Sequence, residues 1–186
     1  RRDIKNVGQE LLQRSNSHPR KVNSIILSDE DICMRRDLSI LGKLSQYFDV
    51  KVIFALRRQD LWFESWYQQH IKWQWDRRYS HLTLDAFMAH EDEFHWADYD
   101  RVLTHLEGIF GQDNILPLVF EKSQMPEGRV AAFCARVGLT DRADLSPAPH
   151  VNSSQSPEIA EFVRLLPFGE APDKFRARLE AAVREV

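Results

Sequence analysis

The segment at residues 50–73 constrains the fold more than any other part of this sequence. It begins with a nearly continuous apolar run of strand length, which is typical of a strand buried on both faces. Polar residues 57–60 interrupt this run, and a helix-length segment follows in which Trp62, Trp66 and Trp73 fall roughly on one stripe. We interpret that stripe as core packing. Strand, polar corner and helix form half of a crossover unit, and two arginines at such a corner favour an anion site.

Two further apolar runs predict the remainder of a small, mainly parallel sheet. Residues 22–27 predict a short buried strand, and residues 35–48 predict a helix that leads from it into the strand at residue 50. Together they form a strand–helix–strand unit with parallel strands. Residues 114–120 predict a third strand, in which Pro117 favours an edge position or a bulge. We therefore expect an α/β fold with helices flanking the sheet.

Helical spacing of apolar residues predicts the other elements. The predicted helices cover residues 4–14, 99–110, 130–137, 156–166 and 175–183. Ser156, Pro157 and Glu158 supply an N-cap, a first-position proline and an acid for the fourth of them, and Ile159, Phe162, Val163 and Leu166 follow as its buried face. Residues 141–154 read as a loop. Residues 75–95 predict a long irregular excursion with one short helix at residues 84–89, and such excursions often bind ligands.

Composition and charge exclude several classes of protein. The 186 residues are 43% hydrophobic and 28% charged, which suits one globular domain with a sizeable core. A formal net charge of −3 gives no broad attraction for nucleic acid or membranes, so an anion site has to be local. Cys33 and Cys134 are too few for a disulfide framework and indicate buried free thiols in a reducing, cytoplasmic compartment. Neither metal-ligand spacing nor an apolar run of transmembrane length occurs.

The corner and its helix resemble the 3′-phosphate-binding segment of sulfotransferases that use 3′-phosphoadenosine 5′-phosphosulfate (PAPS). Arg57 closes the strand, and Ser65 follows eight residues later on the helix. In that family an arginine at a strand end and a serine at this spacing hold the same phosphate. Arg58 and Gln59 stand where the eukaryotic pattern has Asp/Asn-Pro, and the wording LRRQ…S.Y.Q.IK is similar to bacterial sulfotransferase-like proteins. The resemblance implies a P-loop sulfotransferase-like fold.

Three other segments carry the same resemblance and extend it over most of the chain. They are LSDE at residues 27–30, the DY…FG…FE succession within residues 96–121, and VNSSQSPE at residues 151–158. The implied activity is transfer of a sulfuryl group from PAPS to a hydroxyl or amine, with a small molecule or glycan as acceptor and without a metal ion. Nucleic acid is not an expected partner.

The resemblance also implies roles for individual residues. Arg57, Ser65 and Arg58 would bind the donor, and Glu30 would stand near the place of the catalytic base, with Asp29 as the alternative carboxylate. Glu30 and Asp29 remain open to a second interpretation, an N-terminal cap of the following helix. Glu121, His70, Lys72, His81, His90 and His95 are further polar residues; we expect Glu121 to be paired structurally and the others to be weaker candidates for an acceptor pocket.

One part of the family pattern does not occur in the 186 residues. Sulfotransferases begin with a strand and a loop, typically Gly-x-x-Lys-Ser/Thr-Gly-Ser/Thr-Ser/Thr, that binds the 5′-phosphosulfate. We expect this strand and loop upstream of Arg1, so that residues 1–186 form a single, N-terminally incomplete domain. Two alternatives remain open: a binding or assembly module on the same scaffold, and a P-loop kinase relative.

Overall fold

The computed structural model describes residues 4–74, 76–139, 156–166 and 171–184. The α-helices and strands are α1 (Ile4–Ser17), β1 (Val52–Leu56), α2 (Gln59–Trp73), α3 (Leu84–Met88), α4 (Tyr99–Phe110), β2 (Ile115–Val119), α5 (Arg129–Arg136), α6 (Pro157–Leu165) and α7 (Asp173–Arg184). Short 3-10 helices lie at Ile32–Met34, Ser39–Gln46, Glu91–Glu93, His95–Ala97, Gln112–Asn114 and Lys122–Gln124.

The chain divides into two compact units. The sheet unit comprises Arg1–Leu56 and Phe94–Leu139, and the aromatic unit comprises Arg57–Glu93 and Thr140–Val186. The first contains both strands, whereas the second contains α2, α3, α6 and α7. In sequence, the segment Arg57–Glu93 of the aromatic unit comes between β1 and β2. The chain therefore leaves the sheet unit after β1 and returns to it before β2.

The sheet consists of two parallel strands in the described residues. β1 and β2 pair in register from Val52 opposite Ile115 to Leu56 opposite Val119, and Pro117 lies opposite Phe54. Since each strand has one strand neighbour there, Pro117 occupies an edge strand, where its missing N–H costs least. The predicted α/β class with a small parallel sheet is confirmed.

The core of the sheet unit forms where α4 packs on both strands. Its members are Leu38, Val102, Leu106, Phe110 and Ile115. Three of these residues repeat at helical spacing on α4, which explains why this helix presents one apolar face to the sheet. Asp98 accepts a hydrogen bond from the Arg101 amide at the start of α4, and Gly111 ends it with φ of 85°.

Helix α1 approaches the 3-10 helix Ser39–Gln46 closely at Gly8. A Cβ at this position would lie 2.6 Å from Cδ2 of Tyr47, so any larger residue would displace the tyrosine ring. The predicted first helix is confirmed and continues to Ser17. The helix predicted at residues 35–48 is present only as the shorter 3-10 helix, with Leu44 buried.

The strand predicted at residues 22–27 is wrong. These residues form no strand, and Ile26 and Leu27 are 57% and 62% exposed. An apolar, β-branched run becomes a strand only where a neighbour supplies backbone partners and covers its side chains. No described strand does so here, and the predicted strand–helix–strand unit is therefore absent from the described residues.

The aromatic unit is organised around α2. Ile71 of this helix packs against Val163 of α6, and Tyr67, Ile159 and Leu166 surround the pair. Arg164 Nη1 donates to the His81 carbonyl at 3.0 Å, and His81 Nδ1 lies 2.8 Å from the Arg164 carbonyl. These reciprocal bonds join α6 to the turn before α3.

The predicted start of α6 is confirmed, and α3 begins with a cap of the same kind. The Ser156 hydroxyl accepts from the Ile159 amide, and Thr83 caps α3 in the same way. The short helix predicted in the excursion is confirmed as α3, as are α4 and α5 in the sheet unit. The buried position predicted for Phe162 is wrong, since its side chain faces solvent. The loop predicted at residues 141–154 lies outside the described residues.

Candidate anion-binding site

The corner between β1 and α2 contains only Arg57 and Arg58. Arg57 is half-buried, and Arg58 is exposed. The Arg58 guanidinium pairs with Asp60 through an Nη2–Oδ2 contact of 2.5 Å and an Nε–Oδ1 contact of 3.2 Å. These hydrogen bonds lower the pKa of the Asp60 carboxyl. The negative charge of Asp60 at the start of α2 is thus already matched by Arg58.

Ser65 lies on α2, half-buried and six residues beyond the first helical residue, Gln59. At 1.5 Å per residue, this distance is about 9 Å along the helix axis. The secondary structure around Arg57 and Ser65 is therefore the predicted one: a strand end, a two-residue corner and a helix. Their role in holding a phosphate stays a prediction.

Asp29 and Glu30 belong to the sheet unit and lie in an exposed segment. Because residues 22–27 form no strand, these carboxylates do not follow a strand end as predicted. Asp29 Oδ1 accepts from the Asp31 amide at 2.8 Å, a local turn of the kind that Asp favours. The Glu30 carbonyl accepts from Cys33 Sγ at 3.4 Å. This local turn leads into the 3-10 helix Ile32–Met34, whereas the 3-10 helix Ser39–Gln46 begins after Leu38, so Asp29 and Glu30 do not cap the helix for which that role was predicted.

Neither cysteine offers a nucleophile of unusual reactivity in the described structure. Burial raises the pKa of the Cys33 thiol, and the charges of Asp31 and Asp29 raise it further. The thiol therefore stays protonated at neutral pH. Cys134 is buried in α5.

An aromatic cluster covers one side of α2. The Trp62 and Trp66 rings stack at 5.7 Å, and Trp66 meets the edge of His70 at 4.9 Å. The same imidazole contacts Tyr79 at 5.1 Å and Phe87 at 5.7 Å. The tryptophan stripe is thus packing at its first two positions, whereas Trp73 is exposed with Lys72 Nζ 5.4 Å from its ring.

His70 is buried within this cluster, and burial lowers its pKa. Asp76 raises this pKa and Arg78 lowers it, both by smaller amounts. The imidazole is therefore neutral at pH 7, and its surroundings are those of a packed aromatic core. This role could not be read from the sequence, because the tyrosine and phenylalanine that enclose the ring come from separate elements.

We expect the free energy of unfolding to fall as the pH decreases below about 6.5, the ordinary histidine pKa. In that range the unfolded chain binds a proton at His70 and the folded chain does not, so the slope reaches at most about 1.4 kcal/mol per pH unit. Urea unfolding between pH 5 and 7.5 measures it. His70→Phe should flatten the profile, and an unchanged slope in this variant would contradict the assignment.

A second polar network holds the excursion before and after α3. The Glu93 carboxylate accepts from the Tyr79 hydroxyl at 2.5 Å, from Arg78 Nη1 at 3.2 Å and from His90 Nδ1 at 2.9 Å. Burial, together with the hydrogen bond to Glu93, raises the pKa of Tyr79 to about 12. Asp76 binds Arg78 from the other side. The hydrogen bond to Glu93 therefore holds the His90 ring in place, which is a structural role.

Two further features of the sheet unit are the Glu121 carboxylate and an open cleft. Glu121, which follows β2, has a buried Oε1 that accepts no hydrogen bond from the described residues, so the expected pairing at this atom is not seen. A shallow open cleft of about 630 Å³ in the sheet unit is lined by Gln9, Leu12, Gln13, Asn16, Ser17 and Tyr47 and contains none of the predicted site residues.

The described residues also lack a cluster of metal ligands and a helix suited to a membrane. No group of three or more His, Cys, Asp or Glu side chains there is arranged to hold a metal ion. Among the described helices, none combines the length and the apolar character needed to cross a membrane.

Comparisons with known proteins name neither a family nor an activity. No protein-family model matches the sequence, and no solved structure matches it. The chain is 30% identical over 117 residues to an uncharacterized protein of Archaeoglobus fulgidus. That match covers 62% of this chain and 29% of the archaeal protein, so the chain spans less than a third of its relative's length.

Proposed function

We propose that the chain contributes the 3′-phosphate-binding part of a PAPS-dependent sulfotransferase with a P-loop sulfotransferase fold. One observation carries this proposal: Arg57 lies at the corner between a parallel strand and a helix, and Ser65 lies on that helix at the family spacing. The whole protein would transfer a sulfuryl group from PAPS to a hydroxyl or amine of a small molecule or glycan.

The chemistry of the corner fits a phosphate. A guanidinium forms short, charge-assisted hydrogen bonds with phosphate oxygens, and the first amides of a helix point toward an anion at its N-terminus. Asp60 does not oppose such an anion strongly, because Arg58 pairs with it. The Arg58–Asp60 pair is exposed and therefore contributes little to stability, and we propose Arg58, which it engages, only as a secondary contact to the donor.

The 5′-phosphosulfate of the donor also needs binding residues. Residues 1–186 contain no Gly-x-x-Lys loop of the kind that binds it in the family. In sulfotransferases such a loop would supply the contacts to the 5′-phosphosulfate. The sulfuryl transfer would then proceed by in-line displacement, with the binding residues positioning the donor and stabilising charge on the departing phosphate.

Glu30 is the preferred base for the acceptor hydroxyl. Its carboxylate is exposed, whereas Oδ1 of Asp29 is already engaged by the Asp31 amide. A base has to lie within hydrogen-bond reach of the proton that it removes. Asp29 remains the second choice because its other carboxylate oxygen could serve.

Nucleotide selectivity tests the proposed function. Isothermal titration calorimetry on the whole protein should show that adenosine 3′,5′-bisphosphate binds at least about tenfold more tightly than adenosine 5′-monophosphate, since a charge-assisted contact contributes about 1.5–3 kcal/mol. ATP is titrated for comparison, because a kinase relative should prefer ATP to adenosine 3′,5′-bisphosphate. Equal affinities for the two adenosine nucleotides, or binding of neither, would reject the proposal and favour the binding-module alternative.

A further inference from the structure

Helix α6 presents an apolar stripe to solvent on the side opposite its buried face. Ala160 and Val163 are buried, whereas Phe162 and Leu165 are 61% and 66% exposed. Glu158 and Glu161 lie on the same outward side, since residues three, four and seven positions apart share one face of a helix. We call Glu158, Glu161, Phe162 and Leu165 the α6 stripe. It combines two large apolar side chains with the negative charge of Glu158, whereas the Glu161 carboxylate pairs with Arg164 of the same helix.

Helix α7 presents a stripe of the opposite charge. Every α7 side chain that the structure describes is exposed, including Phe175 at 48% and Leu179 at 41%. Lys174 Nζ lies 5.0 Å from the centre of the Phe175 ring, and Arg178 follows one turn later. We call Lys174, Phe175, Arg178 and Leu179 the α7 stripe. Phe175 and Leu179 therefore present apolar surface to solvent in a single chain.

We propose that two copies of the chain pair reciprocally, with the α7 stripe of each copy on the α6 stripe of the other. The two stripes match in charge and in apolar character, yet both are exposed within a single chain. A two-fold pairing covers all four stripes at once and closes the assembly. An anionic membrane would cover only the basic α7 stripe and would leave Phe162 and Leu165 in water.

This proposal does not depend on the proposed function, because none of its residues belongs to the corner at Arg57 and Arg58. Sedimentation equilibrium of the chain at micromolar to millimolar concentrations should therefore give twice the chain mass whether or not a nucleotide binds. A monomer throughout this range would overturn the pairing.

Two variants that introduce opposite charges, one on each stripe, test whether the α6 and α7 stripes are the contact faces. Phe162→Arg puts a cation opposite Lys174 and Arg178, and Leu179→Glu puts an anion opposite the α6 acids. Each variant alone should dimerise at least about hundredfold more weakly, because burying an unpaired charge is strongly unfavourable. Mixed in equal amounts, the two variants should form a heterodimer, since the new arginine and glutamate then face each other.

Val130→Glu is the matched control, because Val130 is also exposed and apolar but lies on α5. It should leave the dimer unchanged, and far-UV circular dichroism should show that all variants keep their helices. Failure of the mixture to associate would overturn the proposal. A monomeric wild type whose binding to phosphatidylserine vesicles is lost in Leu179→Glu would replace it with a membrane-surface role for α7.

Discussion

Phe87→Ala is expected to lower the free energy of unfolding by about 3–5 kcal/mol. The side chain is 0% exposed and contacts the rings of Tyr67, His70 and Tyr79 at 5.5–5.7 Å between centroids. Removing it leaves a cavity among rigid rings, which cannot collapse into the space. Urea unfolding, followed by tryptophan fluorescence, measures the loss because Trp62 and Trp66 belong to the same cluster.

Leu84→Ala is the control within the same helix. Leu84 is exposed, so its truncation should change the free energy of unfolding by no more than about 0.5 kcal/mol. Similar losses in the two variants, or a loss below about 1 kcal/mol for Phe87→Ala, would contradict the central position of Phe87 in the aromatic unit.

Arg57→Ala should weaken the binding of adenosine 3′,5′-bisphosphate at least about tenfold, since a charge-assisted contact contributes about 1.5–3 kcal/mol. Calorimetry on folded variants provides the measurement. Arg58→Ala should have a smaller effect, because the Arg58 guanidinium is engaged by Asp60. Glu30→Gln should leave the affinity unchanged, because the phosphates of the donor do not require a base.

These comparisons separate the roles of the three residues. An intact Arg57→Ala variant that binds as tightly as the wild type would remove the phosphate site at the corner. A comparable loss in Glu30→Gln would show instead that the carboxylate contributes to binding, and Glu30 would then no longer be the preferred base.

Local patterns in the sequence predicted most helices and the strand–corner–helix arrangement. The apolar run before Arg57 and the helical spacing after it are properties of neighbouring residues, so the sequence alone was enough to place β1 and α2. The cap at Ser156 was equally local, because its hydroxyl bonds to an amide three residues later. Periodicity and capping therefore predicted the elements that carry the candidate site.

The errors concern features that depend on residues distant in the sequence. Residues 22–27 have strand composition, but a strand also needs a partner, which composition does not provide. Phe162 fits the helical spacing of the buried face, yet neighbouring elements determine which side of α6 is covered. The bonds of Glu93 to Tyr79 and Arg78 span an entire helix and its turns, and no local signal announces them.

The path of the chain between the two strands has a consequence for folding kinetics. Val52 pairs with Ile115, so forming the sheet closes a long loop that contains the whole segment from Arg57 to Glu93, with α2 and α3. Contacts of such high sequence separation form slowly, because loop-closure entropy is lost before the strands gain hydrogen bonds. The contacts between α2 and α3 close much shorter loops. We therefore expect the helices to form before the sheet and the apolar strand β1 to stay exposed until α4 and β2 pack against it.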